Sequence, residues 1–110
     1  PFKVIIEVGI LTDDEKVMAA KLVEDNGAQF VKTCTGFGPG RATVHDVALL
    51  RAALGKGTGI KASGFVASIE DGVTLMRAGA TIVAMRRFLI EQLEHISWGT
   101  TSESHLPLAT

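Results

Sequence analysis

Four short β-branched runs punctuate the chain, beginning near Val4, Phe30, Ile60 and Ile82, at intervals of about 22 to 30 residues. Each interval has room for a turn, a helix and a second turn. A strand followed by a crossover of that length returns parallel to its predecessor. The runs are apolar on both strand faces, as expected of a parallel sheet covered on both sides. The spacing therefore predicts an α/β chain of repeated strand–helix units.

The helix signals fall where this scheme needs them. Thr12-Asp-Asp-Glu15 reads as a capping box, with Val17, Ala20 and Val23 on the following apolar face and Gly27 as the stop. Thr43 is the next expected N-cap, with Asp46 in the first turn and Val47, Leu50 and Leu54 on one side. Ser68 caps a third helix that Gly79 ends, and a last helix is expected over 86–96 on Phe88, Leu89, Leu93 and Ile96. The sequence from Ser97 onward is polar and reads as a tail, so the organisation expected is a folded unit over 1–96 and a tail over 97–110.

Composition narrows the function classes. The 110 residues carry 11 Lys and Arg against 12 Asp and Glu, too balanced to attract nucleic acid or an anionic membrane. One cysteine excludes an intrachain disulfide framework and a four-cysteine zinc site. No apolar run approaches the roughly 20 residues of a membrane span and no secretory signal is evident, so the cytoplasm is the expected setting. A mean hydropathy of +0.29 is high for so short a chain and points to apolar surface that seeks a partner.

Two lysines sit where lysine is costly. Lys32 follows Phe30 and Val31 inside one strand run, and Lys61 follows Ile60 inside another. In α/β folds the C-terminal ends of strands carry the ligand site. Each lysine there precedes a run of small residues, Thr33 to Gly36 and Ala62 to Gly64, over which a substrate could approach the backbone. Paired ammonium groups and desolvation both favour neutral lysine, a nucleophile that forms Schiff bases with carbonyl carbon. The competing reading is that each lysine snorkels to solvent or neutralises a phosphate. The glycine-rich segment Gly36-Phe-Gly-Pro-Gly40 before a helix start could bind phosphate, but it matches no P-loop or dinucleotide fingerprint and reads first as a connecting loop. Glu7, Asp13 and Asp14 read as strand and cap residues, and His45, His95 and His105 as surface histidines.

Val31-Lys-Thr-Cys-Thr-Gly-Phe-Gly38, Ala42-Thr-Val44 and Ile60-Lys-Ala-Ser-Gly64 resemble deoxyribose-phosphate aldolase, and Phe2 to Thr12 resembles the strand and helix start before the family's lysine strand. The resemblance covers about residues 2–83. It implies a TIM (β/α)8 barrel of which this chain supplies about four units, the C-terminal half. It also implies a class I lyase that cleaves 2-deoxy-D-ribose 5-phosphate to D-glyceraldehyde 3-phosphate and acetaldehyde. By position, Lys32 is then the Schiff-base lysine and Lys61 the second lysine, whose charge activates it. Thr35, Gly36 and Gly64 belong to segments that approach the sugar phosphate. Neither a metal nor an organic cofactor is implied.

The departures from the family pattern are specific. Phe65 stands where the family usually has a second glycine, Ala84-Met-Arg-Arg87 replaces a phosphate-binding glycine with small hydroxyl residues, and Cys34 replaces serine and reads as a small buried residue. An aspartate on an earlier strand, used by the family in proton transfer, has no counterpart. A half-barrel exposes two edges and an inner face, so a homo-oligomer or a complementing barrel half is expected. The alternative to an aldolase is a non-catalytic half-barrel that binds sugar phosphate or a partner chain.

Overall fold

The structure, a computed structural model, describes residues 2–85 and 108–109. Strands β1 (Lys3–Ile5), β2 (Phe30–Lys32), β3 (Gly59–Ala62) and β4 (Ile82–Ala84) alternate with helices α1 (Asp13–Asp25), α2 (Val44–Ala53) and α3 (Ile69–Ala78). All strand pairs are parallel and the sheet order follows the chain order. Right-handed crossovers in a sequential sheet leave the helices on one face, the arrangement of one arc of a TIM barrel. The α/β half-barrel expected from the sequence is the fold observed. Within the stretch read as a tail, β5 (Leu108–Ala109) adds a fifth parallel strand beside β4, taking up an edge that would otherwise present unpaired backbone groups. The helix expected over 86–96 lies outside the described residues, as do Arg86, Arg87, His95 and His105.

The local chemistry of the caps sets the helix starts. Thr12 Oγ1 accepts from the Glu15 amide at 3.2 Å while the Thr12 amide donates to Glu15 Oε1 at 2.8 Å, completing the capping box. Thr43 and Ser68 accept from the amides of Asp46 and Asp71 in the same way. The first strand is shorter than its apolar run because Glu7 adopts a left-handed conformation (φ 52°), after which Val8–Ile10 form a 3-10 turn.

Strand alternation divides the sheet into two faces. Val31 and Ile60 are register partners, as are Ala62 and Val83, and all four are fully buried toward the helices. The first pair packs with Val8, Ala20, Leu50 and Leu54, and the second with Val47, Val66, Leu75, Ala80 and Met85. Burying a side chain such as Leu50 contributes about 2 kcal/mol. The opposite face carries the row Ile5, Lys32, Lys61 and Ile82, one residue from each strand in register. Ile5 is 42% exposed, so this inner face is open at the β1 end.

Polar staples tie the helix layer together. Lys16 Nζ on α1 lies 2.7 Å from Asp46 Oδ1 on α2 and 3.1 Å from Asp13 Oδ1. Asp46 is buried, and the short bond to it raises the Lys16 pKa above the ordinary lysine value against the effect of burial. Glu24 Oε2 accepts from the Gly55 amide and the Thr58 hydroxyl, fixing the end of α1 to the loop before β3. Replacing Lys16 by Met would strand the buried Asp46 carboxylate. It is expected to destabilise the fold by about 2–4 kcal/mol in urea unfolding, and Asp46→Asn in the same background should recover part of that loss.

Candidate functional site

The register of β2 on β3 places Lys32 directly opposite Lys61. Both project from the face opposite the described helices, Lys32 at the end of β2 and Lys61 one residue from the C-terminal end of β3. Lys61 is only 7% exposed and forms no ion pair among the described residues. Burial holds its pKa below the ordinary lysine value, and the positive charges of Lys3 and Lys32 push it the same way. Lys3 belongs to the row below, where its ammonium lies 5.8 Å from the Phe30 ring centre. That ring lies across Gly59, in the space a β-carbon there would take. The two lysines that sequence reasoning singled out are thus brought together, with a third cation nearby that it did not single out.

Immediately beyond the lysines the strand ends are joined by hydroxyl groups. Thr33 Oγ1 accepts from the Ser63 amide and donates to the Ser63 carbonyl, both at 3.0 Å. In the reciprocal direction Ser63 Oγ donates to the Cys34 carbonyl at 2.5 Å and accepts from the Cys34 amide at 3.4 Å. Thr33, Cys34 and Ser63 are all buried. Cys34 is the small buried residue expected, and its thiol donates to the Ser63 carbonyl. Gly64 follows at φ 104°, and a β-carbon there would collide with Cys34 Sγ. A non-glycine residue would therefore be both strained and overpacked.

The glycine-rich segment lies beside Glu7. The Thr35 amide donates to Glu7 Oε2 at 3.2 Å, and the Phe37 amide donates to the Thr35 hydroxyl at 3.1 Å. Glu7 Oε1 is buried and without a hydrogen-bond partner among the described residues, close against Gly38. Glu7 is therefore an anchor of the loop that carries Thr35 and Gly36, and not the strand residue the sequence suggested. The left-handed turn that redirects it leaves no mark in the apolar pattern.

Gly36 has φ 88° and opens the turn toward α2, while Gly64 and Phe65 are consecutive left-handed residues. Phe65, at φ 50°, occupies a conformation suited to glycine. Arg41 stacks over its ring at 5.1 Å. Behind Phe65 a cavity of about 100 Å³ is lined by Ala42, Val44, Val66, Asp71 and Leu75, and neither lysine reaches it.

Elsewhere, Asp13, His45 and Asp46 bring one possible metal-ligand atom each within 4.8 Å of the others. The Lys16 ammonium already occupies Asp13 Oδ1 and Asp46 Oδ1, so the positive charge in that cluster is a lysine. His45 is an exposed residue on α2, as expected, bonded at 2.8 Å to Asp13 Oδ2. That bond and Lys16 hold the Asp13 carboxyl below its ordinary pKa. No described helix is long and apolar enough to cross a membrane.

No protein-family profile matches the chain. Curated relatives do. The chain is 56% identical over 79 residues to the deoxyribose-phosphate aldolase of Macrococcus caseolyticus, covering 72% of this chain and 36% of the relative. It is 55% identical over 78 residues to that of Thermoanaerobacter pseudethanolicus, covering 71% and 35%. Among solved structures, the tetrameric deoxyribose phosphate aldolase of Aeropyrum pernix superposes with a TM-score of 0.73 at 30% identity, over 84% of this chain and 41% of that one. The aldolase QR15 superposes with a TM-score of 0.71 at 33% identity, over 74% and 37%. The chain spans about a third of the length of the curated relatives it matches.

Two stability measurements test the site geometry. Gly64→Ala is expected to cost about 2–4 kcal/mol in urea unfolding, through the positive φ and the collision with Cys34. Lys61 is disfavoured as a cation in the folded chain, so unfolding takes up a proton between its lowered pKa and the ordinary value of 10.5, and stability rises with pH through that window. Lys61→Met should therefore raise Tm by roughly 2–5 °C at pH 7 and by less at pH 10.

Proposed function

We propose that this chain, a homologue of roughly a third of deoxyribose-phosphate aldolase, supplies the imine-forming half of a class I aldolase site. The observation that carries the reading is the register pairing of Lys32 with Lys61 on the inner face, in a chain 56% identical to such an enzyme. The substrate class is a 2-deoxy sugar phosphate, and the reaction is its cleavage to D-glyceraldehyde 3-phosphate and acetaldehyde.

Lys32 is the nucleophile. Its neutral amine adds to the C1 aldehyde of the open-chain sugar, and loss of water gives a protonated imine. A base removes the proton from the C3 hydroxyl; the C2–C3 bond breaks, C3 becomes the aldehyde carbon of glyceraldehyde 3-phosphate, and the electron pair passes into an enamine. Protonation at C2 and hydrolysis then release acetaldehyde and restore the amine. The iminium is the electron sink, so these steps need no metal or organic cofactor. Lys61 stands opposite it in register on the same inner face and is the second lysine of the proposed site. The phosphate end would approach Thr35 and Gly36, on the loop anchored by Glu7, and Gly64, two residues past the end of β3.

The open inner face calls for a covering partner, either a complementing barrel half or a second copy of the chain. A cytoplasmic setting accords with a single buried thiol. A second reading, a half-barrel that binds sugar phosphate without turning it over, draws on the coverage of the relatives and on the lack of a carboxylate paired with either lysine among the described residues.

Borohydride reduction in the presence of acetaldehyde, followed by peptide mass spectrometry, separates the two. A two-carbon adduct on Lys32 that Lys32→Ala abolishes is expected; a folded chain with no adduct would leave the binding reading in its place. Lys61→Leu should slow trapping about tenfold at pH 7.

A further inference from the structure

The ladder of backbone bonds between β2 and β3 ends at the bond from the Thr33 amide to the Lys61 carbonyl. One residue further on, at the edge where the two lysines stand, the strands have no regular backbone pairing. Four hydrogen bonds through two hydroxyls take its place. The Thr33 hydroxyl engages both backbone groups of Ser63, and the Ser63 hydroxyl engages both backbone groups of Cys34. Each hydroxyl gives its one proton and accepts one, so the arrangement is closed, and both residues are excluded from solvent.

This is also where like charges meet on neighbouring strands of the sheet. Lys61 faces Lys3 from β1 and Lys32 from β2, while β4 presents Ile82, Val83 and Ala84 and no ionisable group. Like charges on neighbouring strands push the strand ends apart, and splaying would separate them at little cost if nothing joined the strands above them. Buried hydroxyl pairs resist this, because breaking them leaves backbone groups unpaired away from water.

We propose that the hydroxyls of Thr33 and Ser63 are positioning groups that clamp the ends of β2 and β3, holding Lys32 and Lys61 level so that both face one substrate. The proposal rests on the reading of the two lysines as one site. It goes beyond that reading by assigning a role to two residues that touch neither ammonium group. The conformation of Thr33 and Ser63 is then part of what sets the charge state of Lys61. A packing role alone would affect stability and nothing else.

The test follows the lysines directly, in the unliganded chain, by NMR titration of 13C-methylated lysines with Lys61 assigned through Lys61→Arg. The variants are Thr33→Val, which keeps the shape and removes the hydroxyl, Thr33→Ser, which keeps the hydroxyl, and Ser63→Ala. In Thr33→Val and Ser63→Ala the Lys61 midpoint should move up toward the ordinary lysine value, and Thr33→Ser should return it to that of the parent. Imine trapping at pH 7 should fall about fivefold in the first two, because the two lysines no longer face one substrate. Circular dichroism identifies any variant that fails to fold, and Ser63→Ala, which removes one oxygen, decides the question if Thr33→Val does. A Lys61 midpoint unchanged in a folded, destabilised variant overturns the clamp. An unreactive parent whose Lys61 midpoint still responds overturns the aldolase reading and leaves the clamp standing.

Discussion

The pairing of two lysines across adjacent strands is the constraint around which the rest of this chain is arranged. Two ammonium groups in register repel each other, and one of them is almost fully buried without a counter-ion among the described residues. No local gain of stability accounts for that. The compensation comes from the other face of the same strands, where Val31, Ile60, Ala62 and Val83 are buried against the helices. Net stability is a small difference between large terms, so a sheet can carry an unfavourable row on one face only when the opposite face is well packed. The lysine row and the apolar core are thus two sides of one strand alternation.

The proposed imine chemistry draws on that imbalance. A lysine fully solvated on a surface is protonated and inert toward carbonyls, whereas one held beside other cations in a poorly hydrated place is driven toward its neutral form. The direction of the Lys61 pKa and its causes, burial first and the charges of Lys3 and Lys32 after it, are those expected of such a place. The same 56% identity that relates the chain to deoxyribose-phosphate aldolases covers about a third of their length. To the proposed activity this chain brings its two lysines and their supporting strands.

Much of this was legible in the residues. Strand spacing gave the parallel sheet, and three hydroxyl caps, Thr12, Thr43 and Ser68, started helices where they were expected, because capping depends on a few consecutive residues. The lysines were conspicuous because charge inside an apolar run is costly. Other features depend on contacts between distant segments. Glu7 looked like part of a strand, and only its left-handed backbone and its bond to the Thr35 amide reveal it as a loop anchor. Thr33 and Ser63 looked like small residues near a substrate path; their mutual bonding needs the register of β2 on β3, which no short window of sequence contains. The Lys16–Asp46 pair likewise joins two helices 30 positions apart.

The sequential order of the sheet also bears on how the chain is built in time. Each strand pairs with the one made just before it, so every closure spans one crossover and none waits for a distant segment. The entropy of closing such loops is modest and similar from one to the next. Growth can then proceed by accretion, each new strand reading its register from the last and leaving a fresh edge for its successor. An arc assembled this way has no intrinsic stopping point, and its length is set by how much chain follows and by what finally closes against its edge.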